Sequence, residues 1–323
     1  MRRFVKTEHP VEHLAWLDGG KYLVGLERFG GLNLWDAASG ARRHRAEALG
    51  HQPHFLAPHP DGQRFATAAT HFSAIHPPAQ LWSVSRGRLI GKSLPEACGI
   101  HGGLAFTPDG SALIGGGEVT VTARRQLAAK VRCWDIGAAR VGMEFDGHRG
   151  SIGSVVVWPD GQRVASAGMD GSVRVWDVRT GKAIASRKLG IAVRRLALSP
   201  DGRHLAAAVA KNPHVALMEL TGKKLSATSE VRAHERPIAT VAFAPDGRLV
   251  SVGQDGQLCL RRPDGSLQET IAVDTSPLEC LAIAPDGRTV AVGCLHEVRF
   301  CELPPLDRRE PETTMDARRR GRG

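Results

Sequence analysis

The chain has 323 residues, 42% of them hydrophobic, and a formal net charge of +10. That length suits two average domains or one large all-β barrel or propeller, and no apolar run approaches the roughly 20 residues of a membrane-spanning helix. The opening MRRFVKTEHP has a positive start but no apolar stretch behind it, so it is not expected to be a secretory signal, and the cytoplasm is the expected compartment.

In chain order, residues 2–7 read as a short strand standing ahead of the first of several similar units. An Asp-Gly turn then recurs at Asp18, Asp61, Asp109, Asp160, Asp201, Asp246 and Asp286, about 45 residues apart, and all but the first follow a proline. Proline presets φ and glycine accepts the positive φ of a tight hairpin turn. Before the turns lie alternating apolar pairs: Leu104/Phe106, Val155/Val157, Leu196/Leu198, Val241/Phe243 and Leu281/Ile283. A period of two puts each pair on one face of a sheet, and helical spacings of three and four are missing. After the turns come strands of small residues, such as Val164-Ala165-Ser166-Ala167, suited to sheets that stack closely. Seven units of this length match seven four-stranded propeller blades.

The best-preserved unit runs from Gly147 to Asp177, GHRGSIGSVVVWPDGQRVASAGMDGSVRVWD. With its copies, it makes the chain resemble a WD-repeat (WD40-type) protein over residues 1–305. The Trp-Asp pair is literal at Trp35-Asp36, Trp134-Asp135 and Trp176-Asp177, and nearly so at Trp82-Ser83. It is replaced by Met218-Glu219, Arg261-Arg262 and Cys301-Glu302 in the later units. The Gly-His turn is literal at Gly50-His51 and Gly147-His148 and becomes Ala233-His234 in the sixth unit. The resemblance implies an all-β, seven-bladed β-propeller of four-stranded antiparallel blades. The last unit has only three strands of its own, so the N-terminal strand is expected to complete it and close the ring, leaving no open sheet edge. Residues 306–323, charged and without aromatics, read as a disordered tail.

The resemblance also implies a structural hydrogen-bond network joining a turn His, a Ser or Thr, an Asp and the Trp. Matching positions are His148, Ser166, Asp170 and Trp176 in the fourth unit. The sixth unit keeps His234, Ser251 and Asp255 but carries Arg261 at the Trp place. A buried imidazole, hydroxyl and indole N–H each need a partner, so this His-Ser-Asp group is read as structural rather than as a hydrolase triad.

Functional expectations rest on where the units depart from regularity. From turn glycine to Trp position the spacing is 20 residues in unit two and 24 in unit three, against 14 to 16 elsewhere. The insertions, residues 70–78 (THFSAIHPP) and 118–130 (EVTVTARRQLAAK), are read as neighbouring loops on the face of the Gly-His turns, around the channel mouth. Loops carry function more often than strands. The candidate partner-binding rim comprises Arg124, Arg125 and Lys130, with Arg149, Met169, Arg194, Glu235, Arg236 and Gln254 nearby on that face. Three arginyl or lysyl groups suit an acidic or phosphorylated segment.

The expected role is therefore a non-catalytic protein–protein interaction scaffold, a monomeric propeller within a complex, binding a protein or peptide without a cofactor. The alternatives are a propeller enzyme working at the channel mouth, or a basic surface for nucleic acid or an anionic surface. The sequence offers little for either: no paired carboxylates stand out, aromatics make up 5% of the chain, and the basic residues are scattered except in the tail cluster Arg318–Arg320 and Arg322. His71 and His76, without a nearby carboxylate or Cys, make a poor metal site. The six cysteines, Cys98, Cys133, Cys259, Cys280, Cys294 and Cys301, show no CxxC pair and read as buried free thiols.

Overall fold

A computed structural model describes residues 4–47, 53–69, 79–94, 100–121 and 127–306. These form seven antiparallel sheets of four strands each. Blades are numbered here in chain order. Blade 1 holds Val11–Leu17, Tyr22–Glu27, Gly31–Asp36 and Arg42–Glu47, and blade 4 holds Ile152–Val157, Arg163–Gly168, Ser172–Asp177 and Ala183–Lys188. In every blade the first strand lies at one edge of the sheet, and each first strand packs against the first strands of the blades before and after it, including blade 7 against blade 1. The sheets therefore stand around a ring, first strands innermost.

The turn chemistry is as the repeats require. At the six Pro-Asp-Gly or His-Pro-Asp-Gly turns the glycine has φ between +67° and +87°, a region where any Cβ is strained. The preceding Asp folds back onto the chain. Asp61 Oδ1, for example, accepts the amides of Gln63 at 2.9 Å and Arg64 at 3.0 Å. The first unit, which lacks the proline, turns through a short 3-10 segment, Asp18–Gly20, with Asp18 itself at φ 51°.

Seven blade interfaces carry seven apolar clusters. Between blades 4 and 5, Ala165, Ala167, Val173 and Val175 meet Leu196, Leu205, Ala207 and Met218. The small side chains of each second strand let adjacent sheets approach closely, as Ala206, Ala207 and Ala208 do in blade 5, all fully or almost fully buried. Stability is thus spread around the ring, each blade burying its faces against two neighbours.

Blade 7 contains Cys280–Ile283, Thr289–Gly293 and Glu297–Glu302, and its fourth strand is the N-terminal Phe4–Lys6. Phe4, Val5 and Lys6 pair with Arg299, Val298 and Glu297. Val5 is buried with Val298 and Trp35 in the interface between blades 7 and 1. The ring closes by this exchange, joining the first residues described to the last repeat. The charged segment beyond Leu306 lies outside the described residues.

One element departs from expectation. The insertion in blade 3 is not a loop along its whole length. Its second and third strands, Ala112–Val121 and Leu127–Asp135, run past the length of their counterparts and pair Val119 with Ala129, Thr120 with Ala128 and Val121 with Leu127. The alternation in EVTV favours continued pairing over a turn. Arg124 and Arg125 fall between these strands, outside the described residues, as does the blade 2 insertion, residues 70–78.

Candidate functional site

The ring carries two polar constellations: the buried group in blades 4 and 6, and the mouth of the channel.

In blade 4, His148 ends the outer strand of the preceding sheet, Arg140–His148, and the turn that follows brings its ring over the blade. Its Nδ1 lies 3.0 Å from Asp170 Oδ2 and its Nε2 2.7 Å from Ser166 Oγ. The Trp176 indole donates to the same hydroxyl at 2.8 Å. Asp170 is fixed further by the Arg149 amide at 2.9 Å and by the Ser172 hydroxyl at 2.7 Å. Burial works to raise the Asp170 carboxyl, but the His148, Arg149 and Ser172 bonds outweigh it and hold the group well below the usual carboxylate range. Ser166 has 0% exposure, and its oxygen is shared between an imidazole and an indole. A hydroxyl so enclosed has no face open to a substrate.

In blade 6 the arrangement is repeated without the indole. His234 Nδ1 faces the Asp255 oxygens at 3.0 and 3.1 Å, and Nε2 lies 2.9 Å from Ser251 Oγ. The Glu235 amide donates to Asp255 at 2.9 Å, as Arg149 does to Asp170. Arg261 occupies the Trp place and reaches two backbone carbonyls, Gly265 at 3.1 Å and Arg232 at 2.7 Å. Burial pushes the His234 imidazole below its ordinary value, outweighing the pull of Asp255.

Further members of this bonding scheme were not singled out from the sequence. In blade 2 the Trp82 indole donates to Thr67 Oγ1 at 2.9 Å, so the hydroxyl–indole half of the network survives there. At the Asp-Gly turns, Trp158 donates to the Gly202 carbonyl of the next blade at 2.9 Å, and His59 lies 3.0 Å from Gly110 O. Both residues stand immediately before a Pro-Asp-Gly turn, at a shared position the repeat alignment could have exposed.

At the opposite end of the strands, a cavity of about 370 Å³ opens on the channel axis. Six blades contribute to it, and three of the nine rim candidates, Met169, Arg194 and Gln254, line it together. Met169 is 64% exposed, a large flexible thioether presented to solvent. Its neighbours there include groups the repeat reading passed over: Glu12, Arg28, Phe55, Arg195 and Glu279. Arg28 bonds Glu12 at 2.8 Å and lies 3.6 Å from Glu279, so its charge is offset. Arg195 instead meets His13 Nε2 at 3.0 Å, and burial followed by its neighbour Arg194 pushes its guanidinium below the usual range, outweighing the pull of Glu12.

The other rim candidates among the described residues do not line this cavity. Lys130 lies in the third strand of blade 3, bonded to Glu144 at 2.8 Å. Arg149 and Arg236 are exposed at the turns between blades. Glu235, exposed beside Arg236, pairs with Arg232 at 2.5 Å.

Among the described residues no cluster of three or more His, Cys, Asp or Glu has metal-holding geometry, and no helix is long and apolar enough to cross a membrane. The five cysteines described are buried and form no disulfide. Burial pushes the thiol of Cys133 up to about 11 and that of Cys294 to about 12, far from the range of a reactive thiolate.

A closed ring of seven four-stranded blades, steadied by a buried His–Ser–Asp–Trp group, defines a WD-repeat β-propeller. The sequence comparisons agree with that class: the family described as WD domain, G-beta repeat matches residues 140–177 and 225–261, the segments carrying the two His–Ser–Asp groups. The chain is 32% identical over 136 residues to Cross-pathway control WD-repeat protein 2 of Flammulina velutipes, covering 40% of this chain and 42% of that protein. It is 27% identical over 131 residues to the Small ribosomal subunit protein RACK1 of Caenorhabditis elegans, covering 38% and 40%. Over 138 residues it is 28% identical to Protein groucho of Drosophila melanogaster, covering 42% of this chain and 18% of that one. The chain thus spans about two fifths of the first two relatives and less of the third.

Proposed function

We propose that this propeller is a non-catalytic docking platform that binds an acidic segment of a protein partner at the channel mouth. The observation that carries the reading is the Arg194–Arg195 pair at the cavity's edge. Across the mouth, Arg28 is matched by Glu12 and Glu279. On the blade 5 side, no carboxylate among the described residues lies within ion-pair distance of either arginine; Arg195 bonds the His13 ring and feels Glu12 only from beyond that distance. A partner carboxylate or phosphate would give these guanidinium groups a counter-charge at contact distance, with bidentate geometry available. Met169 and Phe55 beside them offer apolar surface for the flanking residues of such a segment.

Several features support a platform rather than an enzyme. Both groups resembling a triad have a buried serine, and the blade 4 one is also bonded to an indole. A rim built on seven mutually packed blades is preorganised and loses little entropy on binding. One relative is named as a protein of the small ribosomal subunit, that is, of a larger assembly. Buried thiols outside any disulfide suit a reducing compartment such as the cytoplasm.

The test is partner capture from native lysate with the wild-type chain, an Arg194→Glu/Arg195→Gln variant and a control carrying Arg203→Glu on an Asp-Gly turn. The reading predicts that the first variant loses partners the control retains. Identical capture by all three would sink it.

A further inference from the structure

Arg261 is a cation where blade 4 carries an indole, and the exchange leaves space. A cavity of about 230 Å³ lies against blade 6, lined by His234, Asp255, Cys259, Arg261 and Thr270 among others. It is separate from the channel mouth and shares no lining residue with it.

The charges around it are unevenly satisfied. Asp255 is held by His234 and by the Glu235 and Gln257 amides. Glu235 is paired with Arg232. Cys259 donates to the Ala233 carbonyl at 2.8 Å, and burial pushes its thiol up, keeping it neutral. Arg261 is different. It is only 8% exposed, its two terminal nitrogens reach neutral carbonyls, and its Nε is buried without a partner. No carboxylate among the described residues lies within ion-pair distance, and burial pulls its guanidinium below the usual range. A buried cation held only by neutral groups is costly unless a counter-charge joins it. The Ser251 hydroxyl, which bonds His234, also lacks the indole donor that Ser166 receives in blade 4.

We propose that this cavity is a binding site for a small oxyanion of the phosphate or carboxylate class, anchored by the Arg261 guanidinium. The anion takes the volume an indole fills in blade 4 and supplies the charge that Arg261 lacks. The proposal does not depend on what docks at the channel mouth.

The probe is inorganic phosphate, compared with chloride at matched ionic strength and pH, with thermal unfolding of the full chain as the readout. Three proteins are compared: wild type, Arg261→Met and Arg261→Trp. Met removes the charge at similar length, and Trp restores the blade 4 arrangement. Both variants should fold, because each removes a buried unpaired charge, and their midpoints in chloride should equal or exceed that of wild type. Wild type should show a saturable rise in midpoint with phosphate, and both variants should bind roughly tenfold or more weakly, as loss of a charge-assisted bond implies. A wild-type midpoint that does not saturate would overturn the proposal. So would an equal rise in all three proteins, since exclusion of phosphate from protein surface produces that without a site. Acetate and a phosphoserine peptide distinguish the source of the group. Tighter binding of the peptide than of free phosphate assigns the site to a protein-borne anion, and the reverse assigns it to a free one.

Discussion

Blades 4 and 6 are built on the same plan and differ at one decisive side chain. Both hold a turn histidine between an aspartate and a serine. In blade 4 the serine also receives the Trp176 indole, packed near Phe145 with ring centroids 5.8 Å apart. In blade 6 that place is taken by Arg261, which turns to backbone carbonyls, and a cavity remains beside it. The comparison teaches that the His–Ser–Asp part of the network can assemble without its apolar anchor. It also shows that a cavity lies beside the network where Arg261 stands in place of the indole.

The widest gap between the blades should appear on truncating the anchor. Trp176→Ala removes a side chain buried in the interface between blades 3 and 4 and should cost about 3–5 kcal/mol. Arg261→Ala removes a side chain already beside a cavity and should cost clearly less. Chemical denaturation of both variants measures this, and equal losses would break the distinction. Next comes the aspartate. Asp170→Ala should destabilise by about 1–3 kcal/mol by leaving the His148 imidazole and the Arg149 amide without their acceptor. Asp255→Ala should cost less, because no indole depends on the chain of bonds it supports.

A pH series sharpens the comparison further. The His234 imidazole is lowered by burial, so the unfolded chain takes up the proton at higher pH than the folded one. The stability it contributes is complete above about pH 6.5, the unfolded value, and falls as pH drops from there toward the lowered folded value. His234→Gln should flatten that part of the stability profile. A profile between pH 7.5 and 5.5 unchanged by His234→Gln would remove blade 6 from the account of acid sensitivity. The Asp170 carboxyl is displaced downward, so its contribution is present above about pH 4 and lost at lower pH; Asp170→Asn should flatten that more acidic limb. The smallest effect is expected at the exposed rim, where Arg194→Ala should change stability by no more than about 0.5 kcal/mol.

Much of the ring is legible in the sequence because its repeat is local. An Asp-Gly turn, a period-two strand and a small-residue strand recur in phase, and the spare N-terminal strand answers the missing strand in blade 7. The four residues of the blade 4 network were likewise accessible, since repeat phase places them together. The channel mouth was harder. Met169, Arg194 and Gln254 follow from repeat positions, but Glu12, Arg28 and Glu279 meet only because blades 1 and 7 are neighbours in a closed ring. Lys130 illustrates the opposite difficulty: its charge pointed to a rim, yet register places Glu144 across from its strand and joins the two. Nor does Arg261 announce a cavity, which is a matter of the volume its neighbours leave unfilled.

The most direct measurement pairs two variants in one experiment, reading partner capture and thermal midpoint together, at a temperature where both proteins are folded. Asp170→Ala should lower the midpoint and retain the partner. Arg194→Glu/Arg195→Gln should lose the partner with little change in midpoint. The contrary result, in which the Asp170 variant loses its partner at full folding while the arginine variant keeps it, would place function in the buried group and not at the channel mouth.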